Sequence, residues 1–139
     1  HEFPMLEYEG YNPGHIDPTD YGVPSFYELV VVTSDDTWNK KQANIEAFWR
    51  AARKAFDDME KDPDEALATL LKHQDKANFP LIEEVEKESL SILLPKMKSS
   101  GKFGYQDAEV WEVTADWMTK AGLLTKEPSL DGIFVNLED

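Results

Sequence analysis

The chain contains no cysteine, which excludes disulfides, thiolate metal sites and a cysteine nucleophile. Basic residues are scarce. Lys and Arg number 14 against 28 Asp and Glu, a formal net charge of −14. That balance opposes a phosphate backbone, leaves no basic patch for nucleic acid and disfavours adsorption to anionic lipid. No apolar run approaches the roughly 20 residues that cross a bilayer, and His1-Glu2-Phe3-Pro4 has neither a charged n-region nor a cleavage pattern. His1, His15 and His73 lie far apart without zinc-ligand spacing. The acidic run from Asp57 to Glu65 lacks the glycine and alternating ligands of a calcium loop and reads as a solvated helix boundary. Also missing are a phosphate-binding loop, a nucleophile elbow and a dinucleotide fingerprint. No catalytic constellation, metal or cofactor is expected.

What the chain does have is one apolar strand signal and a series of helices. A length of 139 residues suits a single domain. Phe26 to Thr33 is rich in β-branched and aromatic residues, and Leu29 to Val32 is apolar without alternation, as in a strand covered on both faces. Phe3 to Tyr8 could form a second strand, confined by Pro4 to an edge or a strand start. Between them Gly10 to Pro24 reads as loop, because Pro13, Pro18 and Pro24 can sustain neither ladder nor helix.

Four helices follow. Asn39 and Gln42 have capping-box spacing ahead of Ile45, Phe48, Trp49, Ala52, Phe56 and Met59, which recur every three or four residues. Asp62-Pro63-Asp64-Glu65 supplies an N-cap and a first-turn proline for a helix carrying Leu67, Leu70 and Leu71. A third helix is predicted from about Asn78 with Pro80 in its first turn, ending or kinking at Pro95. After a loop at 99–104, a fourth carries Val110, Trp111, Trp117 and Met118. Gly122 stands at its left-handed C′ position, with Leu123 placed to close a hydrophobic contact. Trp49, Trp111 and Trp117 fall at core spacing, whereas Trp38 could be a staple or cleft lining. The fold class is α+β and mainly helical, one or two strands followed by about four helices.

Four groups in this order carry a family likeness: Tyr8-Glu9-Gly10; Tyr21-Gly22-Val23-Pro24 with Tyr27-Glu28-Leu29-Val30; Trp117 with Ala121-Gly122-Leu123-Leu124; and Asp131 with Ile133-Phe134-Val135-Asn136. The chain resembles the C-terminal half of the NMT1/THI5-like solute-binding proteins of ABC importers. The resemblance implies a type II periplasmic-binding-protein fold of two α/β lobes with a ligand cleft between them. Residues 1–24 would be the interdomain crossover segment and loop, and 25–139 a strand plus the C-terminal helices of the first lobe. It further implies no enzyme activity, a small-molecule ligand, a membrane permease as partner and an extracytoplasmic location. The ligand would be a thiamine-precursor pyrimidine, with riboflavin, sulfonate or nitrate-like ligands as alternatives. Fungal pyrimidine synthases resemble the same fold, but they carry a cysteine-rich motif that this chain lacks.

Within that resemblance Glu9 matches an acid that hydrogen-bonds the ligand's ring nitrogens or amino group. A carboxylate suits an aminopyrimidine because it accepts from an exocyclic amine and, when protonated, donates to a ring nitrogen. Tyr8, Tyr21 and Tyr27 are the accompanying candidates, each offering a stacking face and a hydroxyl. Tyr27 with Phe26 can equally pack the strand onto helices. Leu6 stands where the family has tryptophan, which removes an aromatic wall, and Ile133-Phe134-Val135-Asn136 departs from the usual Leu-Phe-Thr-Asn. A different class of reading follows from the strand's bare edges: a small self-associating helical module, with segment exchange between two copies.

Overall fold

The computed structural model describes residues 1–137. In chain order these form α1 (Glu2–Tyr8), a 3₁₀ turn (Pro18–Tyr21), α2 (Asp35–Lys61), α3 (Pro63–His73), α4 (Glu83–Leu93), a second 3₁₀ turn (Leu94–Lys96), β1 (Lys98–Ser99), β2 (Lys102–Phe103) and α5 (Ala108–Lys120). The mainly helical character stands. The only strands among the described residues are the two short arms of the β1–β2 hairpin.

Two strand expectations are corrected. Phe3 to Tyr8 is helical: Pro4 falls in the first turn of α1, where its missing N–H is not needed, and it is buried. Phe26 to Thr33 forms no strand. Pairing is non-local, and no second strand among the described residues lies beside this segment, so despite its β propensity it is irregular, bends at Leu29 and is exposed apart from half-buried Tyr27.

Helix ends follow side-chain chemistry where it is local. The Asp62 carboxylate accepts the Glu65 N–H at 2.9 Å, with Pro63 opening α3. Gly122 (φ +73°) closes α5, its N–H reaching Thr119 C=O at 3.1 Å while Leu123 N–H reaches Met118 C=O at 2.9 Å. Leu123 itself is 60% exposed, so the expected hydrophobic closure is corrected to a closure by backbone bonds. At α2 the helix begins at Asp35, with Ser34 Oγ accepting the Thr37 N–H at 3.2 Å, ahead of the predicted start at Asn39. The helical dihedrals break at Lys41 (φ −132°, ψ 20°), two residues after Asn39. Gln42 does not reach back but donates to Glu46 at 2.8 Å.

The third predicted helix starts later, at Glu83. Asp75 accepts the N–H groups of Ala77 and Asn78 at 3.1 and 3.3 Å, and Gln74 accepts that of Leu81 at 2.9 Å. These bonds compete with helix, and Pro80 biases Phe79 away from the helical region. Pro95 does end regular α-helix, in the 3₁₀ turn that follows α4.

The chain divides into two compact units, with divisions between His15 and Ile16, Trp49 and Arg50, and Lys98 and Ser99. The first unit comprises His1–His15 and Arg50–Lys98. Here α1 and α3 both pack on α4, and Pro4, Phe56, Leu67, Val85 and Ser89 are buried. Lys98 sits 5.6 Å from the Phe56 ring centroid and pairs with Glu60 at 2.5 Å. The second unit comprises Ile16–Trp49 and the chain from Ser99 on. None of its described residues is fully buried. Trp111 and Trp117 of α5, and Trp49, are half-buried, a correction to their placement in a closed core.

Candidate ligand-binding elements

In the first unit, Tyr8 and Glu9 stand side by side at the end of α1. Gly10 (φ +86°) gives this end the same closure as α5: Gly10 N–H reaches Glu7 C=O at 2.9 Å and Tyr11 N–H reaches Leu6 C=O at 3.0 Å. Glycine at the left-handed position lets the chain reverse directly after Glu9. Tyr8 is 56% exposed and Glu9 is exposed as well, so both side chains are accessible on a backbone fixed by hydrogen bonds.

The start of α1 is anchored by His1 Nε2, 3.2 Å from Glu86 Oε1 on α4, and the following loop by an edge-on contact of Phe3 with His15 at 5.6 Å. Beside Tyr8, the Glu7 carboxyl is held above the ordinary carboxylate range. Partial loss of hydration is the main cause, followed by its hydrogen bond with Glu88 and that residue's like charge.

In the second unit, Tyr21 ends the first 3₁₀ turn and is 75% exposed. Asp17 starts that turn by accepting from Thr19 N–H and Oγ1 at 2.9 and 2.7 Å. Tyr27 is placed differently. Its Oη accepts the Asp107 N–H at 2.7 Å and its ring lies 5.9 Å from that of Trp111. Trp111 in turn stacks on Phe134 at 6.3 Å and 11°, and donates its Nε1–H to Gln106 at 3.0 Å. Asn136 completes the arrangement by bonding both backbone groups of Gln106 at 2.8 Å. Tyr27 is therefore joined to the start of α5 and to the Phe134-Val135-Asn136 segment. The contribution of Gln106 carried no recognisable sequence signal, because it depends on Asn136, 30 residues away.

A shallow groove of about 340 Å³ lies next to this joint, between Pro24-Ser25 and the first turns of α5. Asp107 and Glu109 line it with Ser100, whose Oγ donates to Asp107 Oδ2 at 2.5 Å. Two carboxylates suit amine or amide donors and oppose anions. Among the described residues no group of His, Asp and Glu could hold a metal ion, and no helix is long and apolar enough to cross a membrane.

Residues 1–66, which include Tyr8-Glu9-Gly10 and the segment from Tyr21 to Val30, match the family model described as NMT1/THI5 like. This stretch of the chain is NMT1/THI5-like. Relatives extend the likeness beyond it. Over 140 aligned residues the chain is 45% identical to the formylaminopyrimidine-binding protein of Halalkalibacterium halodurans, an alignment spanning 100% of this chain and 42% of that protein. Over 122 residues it is 27% identical to a Haemophilus influenzae protein provisionally named a thiamine biosynthesis protein, covering 87% of this chain and 36% of that one. The chain thus spans less than half the length of the curated relatives it matches. The alignment to the first relative takes in the α5 and Phe134-Asn136 segments that the NMT1/THI5-like family match leaves out.

Proposed function

We propose that this NMT1/THI5-like chain is the C-terminal portion of an extracytoplasmic solute-binding protein of an ABC importer. Its ligand is a thiamine-precursor aminopyrimidine, held between two lobes and delivered to a membrane permease. No reaction is involved. The observation that carries this reading is the 45% identity, maintained across the whole chain, to a protein named for binding a formylaminopyrimidine. In this reading residues 1–24 form the crossover between lobes, and the rest of the two-lobe fold comes from polypeptide beyond this chain.

Glu9 is the recognition group. Its carboxylate accepts from the exocyclic amine of the pyrimidine, and the capped end of α1 fixes the backbone that carries it. Tyr8 and Tyr21 supply accessible ring faces for stacking, the role that Leu6 cannot fill. Tyr27 acts from the joint on α5, with its hydroxyl already accepting the Asp107 N–H. A charge-assisted hydrogen bond contributes about 1.5–3 kcal/mol, so Glu9→Gln should weaken binding roughly 10- to 100-fold.

The test is calorimetry on the full-length gene product with a formylaminopyrimidine, a hydroxymethylpyrimidine, riboflavin, an alkyl sulfonate and nitrate. Saturable heat from the aminopyrimidines alone, reduced in Glu9→Gln, is the expected outcome. Binding of riboflavin or an anion would move the ligand assignment within the same transport role. Heat from no member of the panel would refute the reading.

A further inference from the structure

Between half-buried Leu130 and half-buried Phe134 the chain turns through exposed Asp131-Gly132-Ile133. The turn is held by two bonds: Ile133 N–H reaches Leu130 C=O at 3.2 Å, and Asp131 N–H reaches Ser129 Oγ at 3.4 Å. Among the described residues nothing bonds the Asp131 carboxylate or the Gly132 N–H. Rotation within the turn brings that carboxyl carbon to the next main-chain nitrogen, and their closure makes a five-membered ring, a reaction favoured by intramolecular proximity. A side chain on the following residue ordinarily shields the nitrogen. Gly132 has none, is left-handed (φ +70°), and no atom lies within 4 Å of where its Cβ would stand. The other aspartates lack this combination. Asp17 and Asp62 precede proline, which has no N–H, and no other aspartate precedes glycine. After Asp57, Asp58 and Asp116 the next N–H is committed to the helix ladder.

We propose that Asp131-Gly132 is a self-modifying site, where the main chain rearranges to an isoaspartyl linkage and thereby loosens the joint between residues 134–136 and the start of α5. The Gly132 nitrogen attacks Cγ of the Asp131 carboxylic acid. The nitrogen's proton and the acid's hydroxyl leave as water, and a cyclic imide joins the two residues. Water then adds at the original main-chain carbonyl and breaks its bond to nitrogen, which turns that carbonyl into the new carboxylate. The Cγ–N bond remains as the link. One water is lost and one regained, so no oxidant, reductant or co-reactant is needed. The product has one extra main-chain carbon. Downstream of it Phe134 stacks on Trp111 at 6.3 Å, and Asn136 bonds both backbone groups of Gln106 at 2.8 Å. Upstream, Leu130 is half-buried. A linker lengthened between these anchors gives up the bond from Ile133 to Leu130 and shifts the register in which Asn136 meets Gln106.

The test is to age the full-length gene product for weeks in mildly acidic buffer, folded and in urea. The tryptic peptide that follows Lys126 is then fragmented by electron transfer, which distinguishes isoaspartate from aspartate. In the folded protein isoaspartate should accumulate at Asp131 at least about 10-fold faster than at any other aspartate. It should be absent from Asp131→Glu, which keeps the charge but would have to close a six-membered ring. In the separated isoaspartyl fraction the Gln106 amide, which donates to Asn136, should exchange with solvent hydrogen at least about 10-fold faster than in fresh protein. No preference for Asp131 in the folded protein, or accumulation in urea alone, would overturn the site. Unchanged exchange at Gln106 in the isoaspartyl fraction would overturn its link to the joint.

Discussion

Gly104 and Gly122 have nearly the same backbone conformation, φ +71° and +73°, in different surroundings. A Cβ on Gly122 would meet open space, whereas one on Gly104 would fall inside the Trp49 indole, which stacks on Phe103 at 5.8 Å and 11°. Alanine at either site bears the left-handed penalty of about 1–2 kcal/mol, offset by about 0.4–1 kcal/mol through loss of unfolded-state freedom. Gly122→Ala should therefore destabilise by about 1 kcal/mol. Gly104→Ala must also push the indole out of its stack, an overpacking term of about 1–3 kcal/mol, so its total should reach about 2–4 kcal/mol. Urea unfolding followed by far-UV circular dichroism reads both. With a slope of about 2 kcal/mol/M, the midpoint should fall by about 0.5 M for Gly122→Ala and by 1–2 M for Gly104→Ala. In a Trp49→Ala background the excess at Gly104 should disappear, because the clashing ring is gone. Equal penalties at the two glycines, or an excess that survives removal of Trp49, would refute the argument.

Three further outcomes follow from local chemistry. Asp62→Ala removes the carboxylate that holds the Glu65 N–H and should destabilise by about 1 kcal/mol in the same urea assay, while Asp62→Asn should recover most of it. Ser89 is buried and among the described residues nothing bonds its hydroxyl, so Ser89→Ala should leave stability unchanged or raise it by up to about 1 kcal/mol, where an ordinary core truncation would lower it. Glu7 has a folded-state pKa above its unfolded value, so its contribution is fully present below pH 4.5 and is lost as pH rises through the folded pKa. Unfolding at a series of pH values should show this loss just above pH 4.5 in the natural chain, and Glu7→Gln should reduce that part of the slope without lowering stability at pH 7.

The readable parts of this fold were those decided within a few residues. Asp62-Pro63 and Gly122 marked their helix ends because the groups they satisfy lie three to five positions away along the chain. Asn39 misled by four residues, since Ser34 offered an equally local cap and the break at Lys41 came after a turn had already formed. Phe26 to Thr33 has the composition of a strand, but strand formation depends on a neighbour that the described residues do not contain. Phe3 to Tyr8 is short enough for packing of Pro4 to outweigh its aromatic and apolar composition. Among the candidate site residues, Tyr8, Glu9, Tyr21 and Tyr27 were named by residue type and family resemblance, and their exposure was not legible in the sequence; the structure leaves the first three exposed. The sequence did not indicate that Tyr27 would bond to Asp107, 80 positions away, a relation that exists only after folding.

The two units differ in what holds them together, and that difference bears on function. The first has buried apolar side chains from α2, α3 and α4, so the capped end of α1 that carries Tyr8 and Glu9 rests on a core of its own. The second has no fully buried residue among those described, and its long-range order rests on polar bonds and ring contacts: Tyr27 to Asp107, Asn136 to Gln106, and Trp111 between Tyr27 and Phe134. Hydrogen bonds contribute about 1 kcal/mol each when water competes for their partners, and more when water is excluded. The second unit, held by bonds that water contests, should therefore unfold at lower urea than the first.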